Sequence, residues 1–504
     1  MTANPQVSMR ERVKQPPARA ILDSYFNPAL ARALEHHFEL ENWVHLAHAE
    51  MLVRQGIVSA EDGARLAGAI LALNARGPEA LEVDDTLEDL YSYVERFITR
   101  TLGPESGGRL HTGRSRNDLH VTTWRMTLRG LMQQVLDALV ALRRRVLDLA
   151  AEHAGTVMPG FTHWQHAQPV TFGYYLLAFG DQLERDFSRC LAAYRRTNRN
   201  PLGAGALTTT AFPLDRQFTT AALGFDGLME IAYDAVSSRD DAHEAAAAFA
   251  VMMTAISRLA VDLQAWSTLE YRYIELGDQH CSVSSIMPQK KNPACLENLK
   301  GAAGIVTGCL SAALACSKNT AFADVSDGVT ALNDPVTDAA ITTRRALVLL
   351  EDVLGALKVF PAHMLHMTEI GFGTATELAD VIVRETGLSF RMAHNIVAVV
   401  VSEAIAAGRP ATAITADELE RAAVTLFGKG LGISAAAVHA ALDPAENVRR
   451  RTVTGGPSEA NMRAMLAERR ANLERDTAAA SALAEQVRAA REATFARAHA
   501  LADA

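Results

Sequence analysis

Three stretches of the chain carry apolar residues at steps of three and four over many turns. Leu128, Leu131, Val135, Leu139, Leu142, Val146 and Leu149 form the first; Leu176, Phe179, Leu183, Phe187, Leu191 and Tyr194 the second; Phe249, Met252, Ile256, Leu259, Leu263 and Trp266 the third. A one-sided stripe sustained over about four to six turns is what a bundle of long packed helices requires. Nearly all of these residues are therefore read as core. Shorter helical patterns run from Ala18 to Leu102, with Leu40, Trp43, Val44 and Ala47 at helical spacing. Within them Ser59-Ala-Glu-Asp62 reads as a helix start with an acidic first turn. Strand signals are sparse, so the pattern predicts an all-α fold with a central long-helix bundle.

Two breaks divide this pattern. Gly103-Pro-Glu-Ser-Gly-Gly108 is a cluster of breakers, and a second interruption near Phe360-Pro-Ala-His363 precedes Gly371-Phe-Gly373. They predict an N-terminal helical domain at 1–110, the bundle at 111–365 and a C-terminal helical domain at 366–504. From Glu459 onward the chain is mostly Ala, Arg and Glu, which reads as a solvated or edge-packed helix. Residues 1–20, with Pro5, Pro16 and Pro17, read as a frayed arm. Gly203-Ala-Gly205 is too short for a phosphate-cradling GxGxxG turn.

Composition narrows the partners. Of 504 residues 49% are hydrophobic and only 6% aromatic, so the core is built of Ala, Leu and Val. A net charge of -9 opposes binding to nucleic acid or an anionic membrane. Five cysteines without CxxC spacing favour reduced thiols over disulfides or a zinc site. The first residues lack an apolar signal region, and no stretch is read as a membrane span, so a cytoplasmic location is expected.

The chemistry lies in four polar clusters at helix ends. Val283-Ser-Ser-Ile-Met-Pro-Gln-Lys-Lys-Asn-Pro293 combines hydroxyls, ammonium groups and two prolines, which suits a loop closing over an anion and suits neither a helix nor a central strand. His111-Thr-Gly-Arg-Ser-Arg-Asn-Asp118 sets Arg114 and Arg116 before the first long helix, where guanidinium and backbone N–H groups hold anions. Any single arginine there could be a surface ion pair; the density of the cluster favours a site. Gly160-Phe-Thr-His-Trp-Gln-His-Ala-Gln-Pro169 offers Thr162, His163, Gln165 and Gln168, with histidine able to move protons near neutral pH. His163 and His166 lack the further ligands of a metal site. Asp234-Ala-Val-Ser-Ser-Arg-Asp-Asp241 reads equally as a capped helix start with ion pairs. These clusters meet only if bundle ends from different subunits come together, which implies a homo-oligomer.

Taken in order from Glu88 to Gly456, these strings, with Pro201-Leu-Gly-Ala-Gly-Ala-Leu207, resemble the argininosuccinate lyase branch of the fumarase/aspartase superfamily. The resemblance implies a homotetramer whose long helices form a twenty-helix core, with each active site shared by three subunits. It also implies a reversible β-elimination that releases fumarate and an amine from an N-substituted aspartate, with no metal or organic cofactor. By the same resemblance Ser284 is the base. Lys290 and Asn292 hold the substrate carboxylate and the aci-carboxylate intermediate. His163 assists the leaving group, with Glu297 as its carboxylate partner. Ser115, Arg116, Asn117 and Thr162 contact substrate, with Arg114 and Gln165 beside them. Proton removal next to a carboxylate builds a dianion, which explains the concentration of positive charge and N–H donors. A serine base in turn needs nearby charge and loop closure to lower its pKa.

The chain departs from the family pattern in places. Val283 replaces the usual Gly before the serine pair and Leu119 the Gln after the Asn-Asp pair. Asn319-Thr-Ala-Phe-Ala-Asp-Val-Ser-Asp-Gly328 stands where argininosuccinate lyases carry a Tyr-Asn-x-Asp-x-Gln-Glu-Asp type segment that contacts the arginine half, and the Trp-Gly-Gly-Arg-Phe opening is missing. A retained fumarate end with an altered amine end points to another N-succinyl amine, with Asp324 and Asp327 suited to a cationic amine. Ethylenediamine-N,N'-disuccinate or a similar aminopolycarboxylate is the expected substrate, and argininosuccinate is the alternative. A silent structural homologue would have lost parts of the site, yet Ser284, His163, Lys290, Asn292 and Glu297 are all present. A serine hydrolase would need a GxSxG-type elbow, which the chain lacks.

Overall fold

The computed structural model describes residues 15–504, without the side chains of residues 329 and 330. Of the arm expected at 1–20, residues 1–14 lie outside the described residues, and helix begins at Arg19. Four helices follow: α1 (Asn27–His36), α2 (Phe38–Arg54), α3 (Ala60–Arg76) and α4 (Leu90–Leu102). They close on a core that includes Leu46, Leu52, Leu66, Ile70 and Ile98. The predicted start of α3 is present, with Ser59 Oγ accepting from the backbone N–H of Asp62 at 3.1 Å.

The bundle consists of α5 (Arg116–Glu152), α6 (Phe172–Thr197), α7 (Asp240–Trp266), α8 (Ala294–Ser317) and α9 (Ser326–Gly355). The three sequence stripes are the inner faces of α5, α6 and α7; Leu131, Phe179 and Leu191 are partly buried and the other stripe residues fully so. No stripe foretold α8, because Gly301, Ala302, Ala303, Gly304 and Gly308 put small residues on every face. Nor was α9 expected as one helix, since Pro335 lies inside it. Contrary to the expectation from sequence, α7 and α8 are both long and apolar enough to cross a membrane. Here they are bundle helices, α7 packing on α6, α8 and α9. On α8, Ile305 and Leu314 remain 58% and 48% exposed.

A third cluster, around Leu378, Ile382, Ile396, Val400 and Leu419, is formed by α10 (Ala375–Thr386), α11 (Phe390–Ala406) and α12 (Ala416–Phe427). The final helix, α13 (Glu459–Ala502), then runs back along α2, α3 and α5. Ion pairs fasten it, including Arg469 to Asp181 and Arg497 to Glu50, both at 2.9 Å, and Asp476 to Arg143 at 2.6 Å. Among the described residues, strand is confined to two-stranded ribbons. Two matter for the site: β1 (Val157–Thr162) with β2 (Gln165–Thr171), and β3 (Ser282–Val283) with β4 (Lys291–Asn292), both antiparallel.

Candidate active site

The first polar cluster turns about Asp118. Ser115 is the N-cap of α5, its Oγ accepting from the backbone N–H of Asn117 at 3.2 Å, while its own N–H donates to Asp118 Oδ1 at 3.0 Å. The other carboxylate oxygen accepts from the N–H groups of Gly203 and Gly205, both at 2.9 Å. These glycines have φ of 85° and 61°, and a Cβ on Gly205 would meet the Thr209 carbonyl oxygen at 2.9 Å. Gly203-Ala-Gly205 is therefore a cradle for a side-chain carboxylate inside the protein. Complete burial pushes that carboxyl up to about 6 against the pull of its three amides. Around this hub Arg116 and Asn117 face a pocket, whereas Arg114 turns inward, its Nη1 3.0 Å from His45 Nδ1 and its guanidinium 5.9 Å from the Tyr91 ring.

The second cluster is a β-hairpin, which the sequence reading placed only as a polar stretch before α6. Pro159 and Pro169 face each other in the ribbon, where both strands are edges and missing donors are tolerated. Phe161 fixes it from below, its ring within 6.4 Å of those of His166, Trp266, Tyr271 and Tyr273. Thr162 and Gln165 pair across the tip, and the two-residue turn between them is His163-Trp164, with φ of 53° and 62°. Such turns ordinarily take Asn-Gly, so holding two large side chains there costs about 1–3 kcal/mol per residue. The strain presents His163 and Trp164 outward. Gly371 and Gly373 allow the start of the third region to lie against the back of the hairpin, since a Cβ on Gly373 would meet the Ala167 carbonyl oxygen at 2.2 Å.

The third group is the serine loop. Its ends pair as β3 and β4, Ser282 with Asn292 and Val283 with Lys291, so the expectation of no regular element holds for the middle and not for the two ends. Val283 stands at a strand position, where a β-branched residue fits. Lys291 is anchored to Asp278 at 2.6 Å and Glu275 at 2.9 Å, which fixes the base of the loop and leaves residues 284–290 between the anchors. Ser284 Oγ accepts from the backbone N–H of Met287 at 3.0 Å and of Ile286 at 3.4 Å. Lys290 is exposed, Asn292 is half-buried on β4 and Glu297 lies exposed in the first turn of α8.

One pocket, of about 290 Å³, gathers Arg116, Asn117 and Asp324 with residues the sequence reading did not single out: Glu41, Glu88, Asp89 and His120. Arg116 Nη1 donates to Asp89 Oδ2 at 2.9 Å and to Glu88 Oε2 at 3.4 Å. Against the cost of burial, His120, Ser92 and Arg116 hold the Asp89 carboxyl below the usual carboxylate range. Burial, with Asp89 nearby, pushes the Glu41 carboxyl up to about 8. Asp324 lies 3.7 Å from the buried Arg239, which ties the Asp234–Asp241 cluster to this pocket. An acidic pair directly before a helix, Glu88-Asp89, was the available signal, and it reads as an ordinary N-terminal cap; Asp89 is indeed the N-cap of α4.

The chain thus holds three separate groups: Arg116, Asn117 and Asp324 in one pocket, His163 and Gln165 at the hairpin tip, and Ser284, Lys290 and Asn292 on the loop. Among the described residues no hydrogen bond or ion pair joins one group to another. The chemistry of each is legible: an acidic pocket, a presented imidazole, and a hydroxyl supplied with N–H donors.

Comparison with known proteins agrees with this inventory. A lyase family model matches residues 35–308, and a model of the argininosuccinate lyase C-terminal region matches residues 372–449. Argininosuccinate lyase 1 of Shouchella clausii is 39% identical over 445 residues, covering 88% of this chain and 89% of that protein. Argininosuccinate lyase of Methanococcoides burtonii is likewise 39% identical, over 443 residues, with 87% and 88% covered. Among solved structures, EDDS lyase in complex with formate superposes with a TM-score of 0.87 at 33% identity, covering 98% of this chain and 97% of its own. Class II fumarase of Schistosoma mansoni, at 15% identity and a TM-score of 0.67, shares the fold. With the serine loop, the hairpin and the Asp118 hub all on this scaffold, the chain belongs to the argininosuccinate lyase branch of the fumarase/aspartase superfamily and is a carbon–nitrogen lyase.

Proposed function

We propose that this lyase releases fumarate from an N-substituted aspartate, with Ser284 taking the Cβ proton. The observation that carries the reading is the pair of backbone N–H groups aimed at Ser284 Oγ. A serine hydroxyl is a poor base because its alkoxide is unstable, and N–H donors on Oγ stabilise that alkoxide. Lys290, in the same loop, adds positive charge once closure removes water. Transfer of the Cβ proton to the Ser284 alkoxide regenerates its hydroxyl and leaves a dianionic aci-carboxylate, held by Lys290 and Asn292. The C–N bond then breaks and the electron pair leaves with the amine, which His163 helps to protonate with Glu297 in support. Ser115, Asn117 and Thr162 hold the succinyl carboxylates, with Arg116 and Gln165 at the border of the site and Arg114 supporting the loop from beneath.

The amine half is of the ethylenediamine-N,N'-disuccinate kind. Asp324 at the pocket and the likeness to EDDS lyase support this. The relatives named argininosuccinate lyase favour the second reading, arginine. Fumarate release from both substrates decides between them: kcat/KM for the ethylenediamine compounds is expected to exceed that for argininosuccinate by about 100-fold or more, because a pocket without the partners a substrate needs rejects it by that order. Rapid turnover of argininosuccinate reverses the choice.

The active unit is a homotetramer. The separation of Ser284, His163 and Arg116 within one protomer and the uncovered apolar face of α8 support it. Mixing inactive Ser284→Ala and His163→Asn subunits is expected to restore activity that neither has alone, since some sites then contain only native residues. Continued inactivity of the re-formed mixture would argue for a site complete in one chain.

A further inference from the structure

Two histidines three residues apart on α2, His45 and His48, are 0% and 1% exposed. That spacing puts both on one face of the helix. Such a pair reads as part of a metal site, yet among the described residues no group of three His, Cys, Asp or Glu could hold an ion. Both engage the turn that leads into α5. His48 Nε2 stands 3.0 Å from the carbonyl oxygen of Thr112, an acceptor that requires the proton on Nε2. Arg114 Nη1 donates to His45 Nδ1 at 3.0 Å, so in His45 too the proton sits on Nε2, which faces Glu41 Oε1 at 3.4 Å. Burial, helped by the Arg114 charge, keeps both imidazoles below the usual histidine range. Two neutral rings in one tautomer thus serve as donor at one position and acceptor at the other.

Arg114 depends on this arrangement. Among the described residues the bond to His45 is the sole hydrogen bond of its guanidinium, whose Nε and Nη2 are buried without a partner. A buried cation with one acceptor is placed by that acceptor. Arg114 adjoins Ser115, the N-cap of α5, whose own N–H is held by Asp118. The turn is therefore fastened at its far end by the Asp118 hub and at its near end by α2. We infer that His45 and His48 are positioning residues, a neutral two-histidine clamp that sets the 112–117 turn so that Ser115 and Asn117 meet the carboxylates of the succinyl half. Neither histidine lines the pocket beside Asn117, so both act through Arg114 and Thr112. This rests on the elimination reading above and adds to it the residues that aim its carboxylate contacts.

The two roles call for opposite mimics. The side-chain oxygen of asparagine falls where histidine Nδ1 stands, and the side-chain nitrogen of glutamine where Nε2 stands. Fumarate binding to the full chain, by isothermal titration calorimetry with a urea titration beside it, reads the clamp without turnover. His45→Leu and His48→Leu are each expected to raise the Kd for fumarate by about tenfold, the order of one buried polar group left unpartnered. His45→Asn and His48→Gln are expected to stay within about threefold of the native chain, while His45→Gln and His48→Asn fall with the leucine variants. A role in filling space alone would not separate asparagine from glutamine in opposite directions at the two positions. Where leucine prevents folding, that crossed contrast decides by itself. Native-like binding by both leucine variants, or equal binding by the folded asparagine and glutamine variants at either position, overturns this inference and leaves the elimination reading standing. A native chain that binds no fumarate defeats the elimination reading, and this inference with it.

Discussion

Replacing Ser284 with alanine is expected to lower kcat for fumarate release by about 10³-fold, with KM and the unfolding midpoint little changed. The rate follows from the role: a positioned general base contributes about 10²–10⁴-fold, and removing a group that acts only in the transition state lowers kcat without weakening ground-state binding. The unchanged stability follows from the place, since residues 285–291 of the loop are exposed and Ser284 Oγ accepts hydrogen bonds only from Ile286 and Met287. Ser285→Ala is the matched control. Ser285 is exposed, so a loss below about tenfold is expected. Steady-state fumarate release, paired with a urea titration, measures both. Near-normal kcat in Ser284→Ala would remove this serine from the role of base, and a native chain inactive on every N-succinyl amine would favour the silent structural homologue.

The loop also explains a departure from the family pattern. A Val in place of Gly before the serines reads as a stiffened hinge. In the structure Val283 is not a hinge: it pairs with Lys291, whose ammonium is held by Asp278 and Glu275. The unpaired part of the loop is therefore the seven residues 284–290, with both ends pinned. A short segment on a fixed base limits the positions Oγ can reach, which suits the role of base proposed for it.

What the sequence revealed depended on whether the deciding interaction was local. Stripes such as Phe249 to Trp266 announce a helix because each residue buries against the same neighbours along one face. The small residues of α8 carry no such contrast, so its helix emerges only from packing on α7 and α9. The hairpin at 157–171 was hidden for another reason: its prolines argue against strand, and its turn is His163-Trp164 where a glycine would have signalled it. Gly203-Ala-Gly205 looked like a phosphate turn cut short because its ligand, the Asp118 carboxylate, lies 85 and 87 residues away in the chain. Glu41 and Asp89 were missed on the same principle. Only folding sets α2 and the start of α4 beside the His111–Asp118 loop, whereas Ser284, Lys290 and Asn292 lie within one contiguous string and were legible at once.

Asp241→Ala is expected to cost about 3–5 kcal/mol of stability. Arg125 and Asp241 are 2% and 4% exposed and meet at 3.0 Å, joining the first third of α5 to the start of α7. Arg125 also donates to the carbonyl oxygens of Arg196 and Thr197 at 3.2 and 3.1 Å, so one guanidinium holds the end of α6 and the start of α7 against α5. Without Asp241 that charge stays buried and uncompensated, which is why breaking such a pair costs more than the pair contributes. The double variant Arg125→Met with Asp241→Leu removes both charges and should regain most of the loss, as apolar replacements of buried pairs do. Its activity separates scaffold from site. Arg239, two residues before Asp241, lies 3.7 Å from Asp324, so a shift at the start of α7 reaches the pocket that Asp324 lines. A refolded double variant with a raised KM for the amine and a nearly native kcat is the expected result, read from urea titration and fumarate release. A single-variant cost under about 1 kcal/mol would mean that helix packing alone sets these helix ends, and the Asp234–Asp241 cluster would then reduce to an ordinary helix start.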